Sequence, residues 1–575
     1  MRRLLRAIYL ATAAFTAAVV FYVLFTLPPA AQTLAPEPPP TVVPGGYHIH
    51  TTRSDGSGTV DEIAAAAARA GLKFIVLTDH GDATRAPDPP AYRHGVLCLD
   101  AVEISTFGGH VVAMNLGAAA PYPLAGETAD VIEDIHRLGG WAVAAHPDSP
   151  KPNLHWTAGN APYDAIEWLN ADSEWRDNRV GELAGTLGRS FVRPAEAIVS
   201  LFDRPARTLQ RWDAAMVSRP VVSLAAVDAH AHGLIGWSDA EETRGRTLFT
   251  RPTYEHLFRA LAQAVVLDQP LSGDAAPDAK HILAALAAGR SFSIVRGLAA
   301  PAALEFSAQQ NGVEIPMGAR TLVVGAPGTI RANVPQAASA RVELIHNNRL
   351  LVEGQGSATY SGVIGEGGYR VEVFFGGAAV PWIVSNPIYA GLDVLPVTGE
   401  PPLTTPTVNI PQPGKGWEVE HDQPSTGTWA IDQHAIRFDY RLGGGPPAGQ
   451  FAALTAGIAG NIGVDRIEFV AHANPPARIS VQVRLPGGPG GNRWRRSVYL
   501  DETPRNFSLR LRDFDLVERT TTLRPNVARV QTVLFVIDTL NTPPGRAGSV
   551  WIFDAKVGVG GQEQGPQGPQ GPQGP

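Results

Sequence analysis

The sequence predicts a multidomain protein in which an α/β barrel is followed by two all-β sandwich domains. Between residues 46 and 300, near-continuous apolar runs alternate with helical segments, as in parallel strands that are covered on both faces. From residue 301 the pattern changes to short alternating strands with Gly and Pro turns, which favours β-sandwiches. Of the 16 histidines, 12 lie between His48 and His281, so imidazole chemistry belongs to the first half of the chain.

The N-terminal segment is predicted to act in export. Arg2, Arg3 and Arg6 precede an uncharged run over 7–27, whose twenty-one residues at about 1.5 Å each match a hydrocarbon layer of roughly 30 Å. We expect residues 1–27 to be a signal anchor or a signal peptide. The bulk of the protein would then lie outside the cytoplasm, either held at the cell membrane by a single anchor or, after cleavage, secreted or periplasmic. Residues 28–45 are Pro-rich and predict a stiff linker that holds the first domain off the surface.

Two histidines separated by one residue, His48 and His50, end the first predicted strand of the barrel. Residues i and i+2 of a strand point to the same side, so both imidazoles can face one metal ion. A Ser-Asp-Gly turn follows and folds the carboxylate of Asp55 back toward them. This spacing predicts a metal site.

Each later apolar run of the barrel also leads to a metal-ligating side chain. His80 follows residues 73–78, Glu103 follows 97–102, His110 opens a return strand after Gly108-Gly109, His146 follows 141–145, and Asp228 and His230 follow 221–227. Barrels of this kind react at the C-terminal ends of their strands, so we expect these side chains to meet there.

These motifs, in this order, resemble the PHP family (polymerase and histidinol phosphatase), metal-dependent hydrolases built on a distorted (β/α)7 barrel. The resemblance covers about residues 46–300 and implies a cofactor of two or three divalent ions, for which a mixed N/O shell suits Zn, Mn or Fe. Asp55 stands where the family often has a histidine. The ligands that the resemblance implies are His48, His50, Asp55, His80, Glu103, His110, His146, Asp228 and His230.

The resemblance also implies a role for each ligand, with catalytic roles for Glu103, Asp228 and His230. Glu103 would bridge two ions. One of these ions would be completed by His48, His50 and Asp228, the other by His110 and His146, and the third ion would be held by Asp55, His80 and His230.

For other polar residues of the barrel, the sequence allows a structural role as well as a functional one. Glu167 or Asn170, at the end of a further strand, would either face the site or cap the next turn. Residues 172–219 predict a helical insertion, whose Arg176, Arg179, Arg189 and Arg193 would bind a substrate anion or lie on solvated helix faces. Cys98, the only cysteine, is predicted to fill the core. The histidines predicted not to be ligands are His94, His136, His155, His256 and His281.

The C-terminal half predicts β-structure and linkers. Residues 301–395 predict an Ig-like β-sandwich, 396–414 a Pro/Thr linker, and 415–559 a second β-sandwich that is galactose-binding-like in pattern. Trp417, Trp429 and Trp494 would stack on sugars or lie in the core, so carbohydrate contact by this domain is one expectation. Residues 560–575 repeat Gly-Pro-Gln and are predicted to be disordered.

Charge and metal content suggest the function. A net charge of -7 and a pI near 6.2 argue against a nucleic-acid partner. Three divalent ions with three carboxylates leave about +3 at the site, which favours an anionic substrate. We therefore expect an extracytoplasmic metal-dependent phosphoesterase. It would hydrolyse an anionic small-molecule or glycan-linked phosphoester through a di- or trinuclear metal site and a bridging hydroxide.

Two other functions compete with this expectation. The first is a metallohydrolase of carboxylic esters, amides or carbamates, since the same nucleophile attacks carbonyls. The second is a non-catalytic cell-surface binding protein with a degenerate barrel. A full set of ligands argues against the second, because a binding protein has no need to keep nine ligands at the ends of its strands.

Overall fold

The computed structural model describes residues 2–231, 252–392, 405–411, 416–446, 449–458, 462–517 and 524–559. Its contacts divide the chain into two units: a first unit of residues 1–119 and 127–396, and a second of residues 120–126 and 397–575. The protein is therefore multidomain, with a large β-rich part. The predicted tail at 560–575 and most of the predicted linker at 396–414 lie outside the described residues.

The described residues of the first unit form both helices and strands up to about residue 294 and strands alone after it. Its helices are α1 (Arg2–Phe25), α2 (Val60–Arg69), α3 (Thr128–Arg137), α4 (Ala171–Arg176), α5 (Val180–Ser190), α6 (Pro194–Val199), α7 (Ala206–Met216), α8 (Tyr254–Ala260) and α9 (Ala275–Ala287). Its strands are β1 (Gln32–Thr33), β2 (Val42–Ile49), β3 (Phe74–Leu77), β4 (Ala91–Arg93), β5 (Val96–Asp100), β6 (Val102–Thr106), β7 (Gly109–Met114), β8 (Trp141–Ala144), β9 (Ala165–Asn170), β10 (Val222–Ala226), β11 (Ala262–Val266), β12 (Ser291–Ile294), β13 (Ala299–Ala300), β14 (Glu305–Gln310), β15 (Val313–Pro316), β16 (Pro327–Asn333), β17 (Arg341–His346), β18 (Arg349–Gln355), β19 (Ser357–Val363), β20 (Gly367–Phe374), β21 (Ile383–Ser385) and β22 (Ile388–Ala390).

Strand segments of the first unit close into a ring. β2 pairs with β3 in parallel, and a parallel bridge between His80 and Glu103 continues from β3 to β6. β6, β7 and β8 are antiparallel neighbours, and β8, β9 and β10 are parallel neighbours. A parallel bridge between Ile49 and Ala229 returns from β10 to β2. The strands are therefore not all parallel, because the tight turn at Gly108, which the sequence predicted, reverses β7 against β6.

The predicted Ig-like sandwich at 301–395 is joined to the strands before it. β12 pairs with β21, so β20, β17 and β18 extend the same sheet that contains β11, β2 and β3. β14, β15, β16 and β19 form a second sheet. One apolar cluster includes Phe292 of β12, Ile330 of β16, Val371 of β20 and Trp382. The two parts are therefore not independent domains. The open edge of β12 pairs with β21, and residues of both parts belong to the same apolar core.

Residues 28–45 do not form a free spacer. β1 pairs with β13, and the backbone N–H of Leu34 donates to the carbonyl of Ala300 at 3.0 Å. The N–H of Ala31 donates to Oε1 of Glu196 at 3.1 Å. Prolines remove donors from this segment, but the amides of Ala31, Gln32 and Leu34 have partners on the domain. The segment before it, α1, is long and apolar enough to cross a membrane.

The described residues of the second unit form two six-stranded sheets around a large apolar core. Its strands are β23 (Thr407–Asn409), β24 (Trp417–His421), β25 (Thr426–Asp432), β26 (Ala435–Arg441), β27 (Phe451–Gly457), β28 (Val464–Asn474), β29 (Ala477–Arg484), β30 (Arg493–Leu500), β31 (Arg505–Arg510), β32 (Asp515–Leu516), β33 (Thr532–Asp538) and β34 (Ala547–Val559). β23, which falls within the predicted linker, pairs with β34.

The tryptophans proposed for sugar stacking have different environments. Trp494 is 0% exposed within the core, where its ring is out of reach of a ligand, and Trp417 packs against that core. Trp429 is 40% exposed on β25. Burial in the core, which was the other expectation, is therefore the fate of Trp494.

The short segment 120–126 belongs to the second unit, although it lies between β7 and α3 in the chain. Tyr122 and Leu124 are buried, and the side-chain amide of Asn541 donates to the carbonyls of Pro123 and Ala125 at 3.0 and 3.1 Å. The loop is thus an integral part of that unit's packing.

Candidate metal centre

Glu103, at the start of β6, is the middle of the candidate site. Its side chain is 1% exposed. Oε1 lies 2.8 Å from Nδ1 of His110 and 2.8 Å from Nε2 of His146. Oε2 lies 3.2 Å from Nε2 of His48. The same oxygen is 3.3 Å from Nε2 of His50 and 3.3 Å from Nδ1 of His80. One buried carboxylate is therefore surrounded by five imidazoles.

A buried cluster lies beside it, formed by His48, His50 and Asp228. The two imidazole Nε2 atoms are 3.1 Å apart. Oδ1 of Asp228 lies 3.5 Å from the first and 3.4 Å from the second. The ligating atoms of the cluster are all within 4.8 Å of one another, so they can share one ion.

A second cluster lies at the mouth of the site and contains His50, Asp55, His80 and His230. Oδ2 of Asp55 is 3.2 Å from Nε2 of His230 and 3.5 Å from Nε2 of His80. Oδ1 of Asp55 is 3.3 Å from Nδ1 of His50. The side chains of Asp55 and His80 are 47% and 36% exposed, so this cluster faces solvent.

A third cluster joins His80, Glu103 and His110. His146 adjoins it through the oxygen of Glu103 that also contacts His110. All nine residues named from the sequence thus lie in one contiguous group, in which His50 links the buried cluster to the second cluster and His80 links the second cluster to the third.

Three of these residues have strained backbones. His48, His146 and Asp228 adopt φ values of +64°, +30° and +45°. Non-glycine residues in this region cost of order 1–3 kcal/mol each and persist where the surroundings over-determine them. The strain lies at the strand ends that aim ligands inward, which is typical of a functional site.

The charges of the site are strongly coupled. Burial alone would raise the pKa of Glu103, but His80 and His48 hold it well below its usual range. Burial would lower the pKa of His230, but Asp55 and Asp228 raise it to about 10. For His80, burial is outweighed by Glu103 and Asp55, and the pKa is raised to about 9. These carboxylates therefore stabilise positive charge at several points.

The donor set fits divalent transition ions. Neutral imidazole nitrogens and carboxylate oxygens are the ligands that Zn, Mn and Fe accept together. Two buried imidazole nitrogens 3.1 Å apart, both also facing carboxylate oxygens, suit a shared cation well. The residues present could hold two or three ions, with Glu103 between them.

Glu167, on β9, supports the ligands from behind. Its Oε1 lies 2.6 Å from Nδ1 of His48, and its Oε2 accepts from the backbone N–H of His146 at 2.7 Å. Nδ2 of Asn170 donates to Oε2 of Glu167 at 2.9 Å and to Oδ2 of Asp228 at 3.0 Å. Such partners orient metal ligands and tune their basicity. Asn170 therefore has both of the roles that the sequence left open. It faces the site, and its Oδ1 caps α4 by accepting from the backbone N–H of Ser173 at 2.9 Å.

Two further residues of the site were missed from the sequence. Asp79 accepts from the N–H and hydroxyl of Thr51 at 2.7 and 2.8 Å and from the hydroxyl of Ser54 at 2.8 Å. It thereby holds the turn that carries Asp55. Its position at a strand end, directly before His80, was the available signal. Tyr254, whose hydroxyl lies 2.8 Å from the carbonyl of His50, is distant in sequence and carried no signal.

The histidines predicted not to be ligands lie outside the three clusters. His136 lies 2.6 Å from Asp164, and His94 lies 3.0 Å from Asp61. Nδ1 of His155 lies 3.2 Å from the carbonyl of Ser149. His281 is exposed on α9. His256 is in the first turn of α8, whose N-cap is Thr253.

No protein-family model matches the chain, and no curated protein matches it. Among solved structures it is similar to the family 11 carbohydrate-binding module of a cellulosomal cellulase of Clostridium thermocellum, with 9% identity, a TM-score of 0.22, and coverage of 29% of this chain and 100% of the module. It is also similar to a family 29 carbohydrate-binding module complexed with mannohexaose, with 11% identity, a TM-score of 0.18, and coverage of 28% and 94%. An agarase matches with 7% identity, a TM-score of 0.19, and coverage of 25% and 23%. Likeness at this level bears on neither the activity nor the ligands of this chain.

Proposed function

We propose that the protein is a metal-dependent hydrolase that cleaves phosphoesters outside the cytoplasm, and that its strand ring is a PHP-type barrel. The observation that carries the proposal is the buried carboxylate of Glu103, which has five imidazole nitrogens within 3.3 Å. A buried carboxylate without a counter-charge costs several kcal/mol of folding free energy. Bound divalent ions would supply that counter-charge, so a catalytic ion site explains the presence of this group, whereas a binding protein would have no use for it.

The residues divide into ligands and supports. His48, His50 and Asp228 would hold one ion with Glu103, and His110 and His146 another. Divalent ions bound there supply Lewis acidity and activate water near neutral pH. Glu167 fixes the ring of His48 and the backbone of His146, and Asn170 does the same for Asp228.

The mouth of the site favours an anionic substrate. Without ions, the positive charge of His80 and His230, whose pKa values are raised to about 9 and about 10, is offset by Asp55, Glu103 and Asp228. Binding of ions would neutralise the imidazoles, and three divalent ions against these three carboxylates would leave about +3 at the site. A phosphoester matches this electrostatic field better than a neutral carboxylic ester or amide, which is the second candidate function.

The test compares two substitutions in the purified full-length protein. Glu103→Gln removes the charge that balances two cations, so we expect loss of metal and of phosphoesterase activity together. His136→Ala removes a partly exposed imidazole that pairs with Asp164, and metal content and turnover should be unchanged. Metal analysis and a screen of phosphomonoesters, phosphodiesters and carboxylic esters give the readouts. A metal-replete, active Glu103→Gln protein contradicts the proposal, and turnover of carboxylic esters alone favours the second candidate.

Two partner assignments accompany the proposal. α1 would remain as an uncleaved membrane anchor, which its length and composition support. Contact of the second unit with carbohydrate, expected from the sequence, stays a prediction. Of the three tryptophans proposed for it, Trp429 on β25 is well exposed.

A further inference from the structure

The last turns of α1 lie against α5. A Cβ on Gly188 would be 2.9 Å from Cγ2 of Val23, and one on Gly185 would be 3.5 Å from the hydroxyl of Tyr22. The two glycines thus leave α5 a face without side chains, which lets the helices approach closely. Tyr22 and Val23 belong to the final part of the uncharged run over 7–27. Because α5 contacts Tyr22 and Val23, it lies at the level of the C-terminal end of this uncharged run.

The chain beyond α1 leaves little freedom in this arrangement. The guanidinium of Arg193 donates to the carbonyl of Pro28. Three residues later, the N–H of Ala31 donates to Oε1 of Glu196 on α6. Because both contacts follow directly on α1, the helical flank of α5 and α6 is held where the apolar helix ends.

The ends of α5 expose apolar side chains near basic ones. Val180 is 83% exposed at its start and Val192 is 50% exposed just beyond its end. Arg179 precedes the first, and Arg189 and Arg193 flank the second. Arg179 is exposed, whereas Arg189 donates to Thr186 and Arg193 to Pro28. Apolar residues beside an exposed arginine are typical of a segment in the headgroup layer of a bilayer, where the apolar groups enter the acyl boundary and the arginine meets lipid phosphates.

We propose that residues 179–193, comprising α5 and its flanks, are a membrane-docking surface that lies in the lipid headgroup layer at the outer end of α1. The occupant is the bilayer that α1 crosses. The continuity of α5 with the end of that span decides for lipid over a second protein. The inference goes beyond the proposed hydrolysis and does not depend on it.

The docking has a consequence for the candidate metal centre. Asn170, which donates to Asp228, caps α4, and α4 with a short turn leads directly into α5. α4 has six residues and is about 9 Å long. The centre is therefore held close to the membrane surface rather than on a long tether.

The test uses the full-length chain, with its N-terminus verified by intact mass, in nanodiscs of phosphatidylcholine and phosphatidylglycerol. Cys98 is the only cysteine and is 7% exposed, so Val180→Cys and Val192→Cys can be labelled selectively with an environment-sensitive fluorophore. The matched control is Val363→Cys on β19, which is 62% exposed. Fluorescence is measured with brominated acyl chains and, separately, with aqueous iodide.

The labels at 180 and 192 should be quenched by brominated lipid and protected from iodide, at about 5–10 Å into the headgroup and acyl boundary. The label at 363 should behave in the opposite way. Iodide quenching at 180 and 192 as strong as at 363 would overturn the proposal. Protection from both quenchers would also overturn it, because it indicates a protein partner instead of lipid. An unchanged Tm of each variant verifies that its fold is intact.

Discussion

Glu167 accepts hydrogen bonds from two directions, which only a carboxylate can do at this position. Oε1 accepts a hydrogen bond from Nδ1 of His48, and Oε2 accepts from the backbone N–H of His146 and from the side-chain amide of Asn170. Glutamine has one acceptor oxygen, so Glu167→Gln must lose one of these bonds. We expect metal affinity to fall by about 10–100-fold, measured by competition with a chelator.

The control for this substitution is Glu174→Gln. Glu174 is also buried, and burial raises its pKa to about 8, so it is largely neutral at pH 7 and glutamine resembles it. Its Oε2 accepts from the backbone of Asp203 and not from a ligand. Metal affinity should stay unchanged. Equal losses in both variants would show a general effect of altering buried carboxylates.

The raised pKa values of His80 and His230 predict proton release when metal binds. In the metal-free protein these pKa values are about 9 and about 10, so both imidazoles are protonated at pH 7.5. A ligating imidazole must be neutral, so binding displaces these protons. Calorimetry in buffers of different ionisation enthalpy should detect the release. Metal binding that releases no protons at pH 7.5 would contradict it.

The same shifts give the metal-free protein a pH-dependent stability. A folded-state pKa above the unfolded value of about 6.5 contributes stability that is complete below that pH and is lost as pH rises through the folded pKa. Thermal unfolding with chelator should therefore show a falling Tm between about pH 7 and pH 10. A rising Tm over that range would be inconsistent with protonated imidazoles at the mouth.

At the level of elements, the turn after β2 depends on Gly56. A Cβ there would be 2.1 Å from the carbonyl oxygen of His50, so Gly56→Ala must move the turn that carries Asp55. We expect loss of the ion held by the cluster at the mouth, seen as one equivalent less in metal analysis, with the rest of the fold retained. Gly117→Ala is the control, because its Cβ meets nothing within 4 Å. Full metal content in Gly56→Ala would remove Asp55 from the ligand set.

At the scale of the whole molecule, we expect the candidate centre to function without the chain from Trp417 onward. All nine candidate ligands lie in the first unit. Deletion of the chain from Trp417 should therefore preserve hydrolysis of a small soluble phosphoester. The truncation removes the residues that bury Tyr122 and Leu124, so it should carry Tyr122→Ser and Leu124→Ser to limit aggregation. Loss of turnover in a folded, metal-loaded truncation would contradict this division.

Much of the site could be read from the chain because its signals are local. Apolar runs predict strands, and a His, Asp or Glu next to such a run predicts a metal ligand. The structure has strands at these runs and brings the nine side chains together. Local pattern also predicted the reversal at Gly108 and the helices between residues 172 and 219.

Only the tertiary structure decided what depends on contacts between distant segments. The pairing of β12 with β21, which joins the predicted Ig-like part to the sheet that contains β2 and β3, requires strand edges that no local pattern describes. The docking of residues 28–45 and the supports by Glu167 and Tyr254 are likewise long-range hydrogen bonds. Periodicity records which face of an element is apolar, whereas partner, register and second contacts depend on the packing of the whole chain.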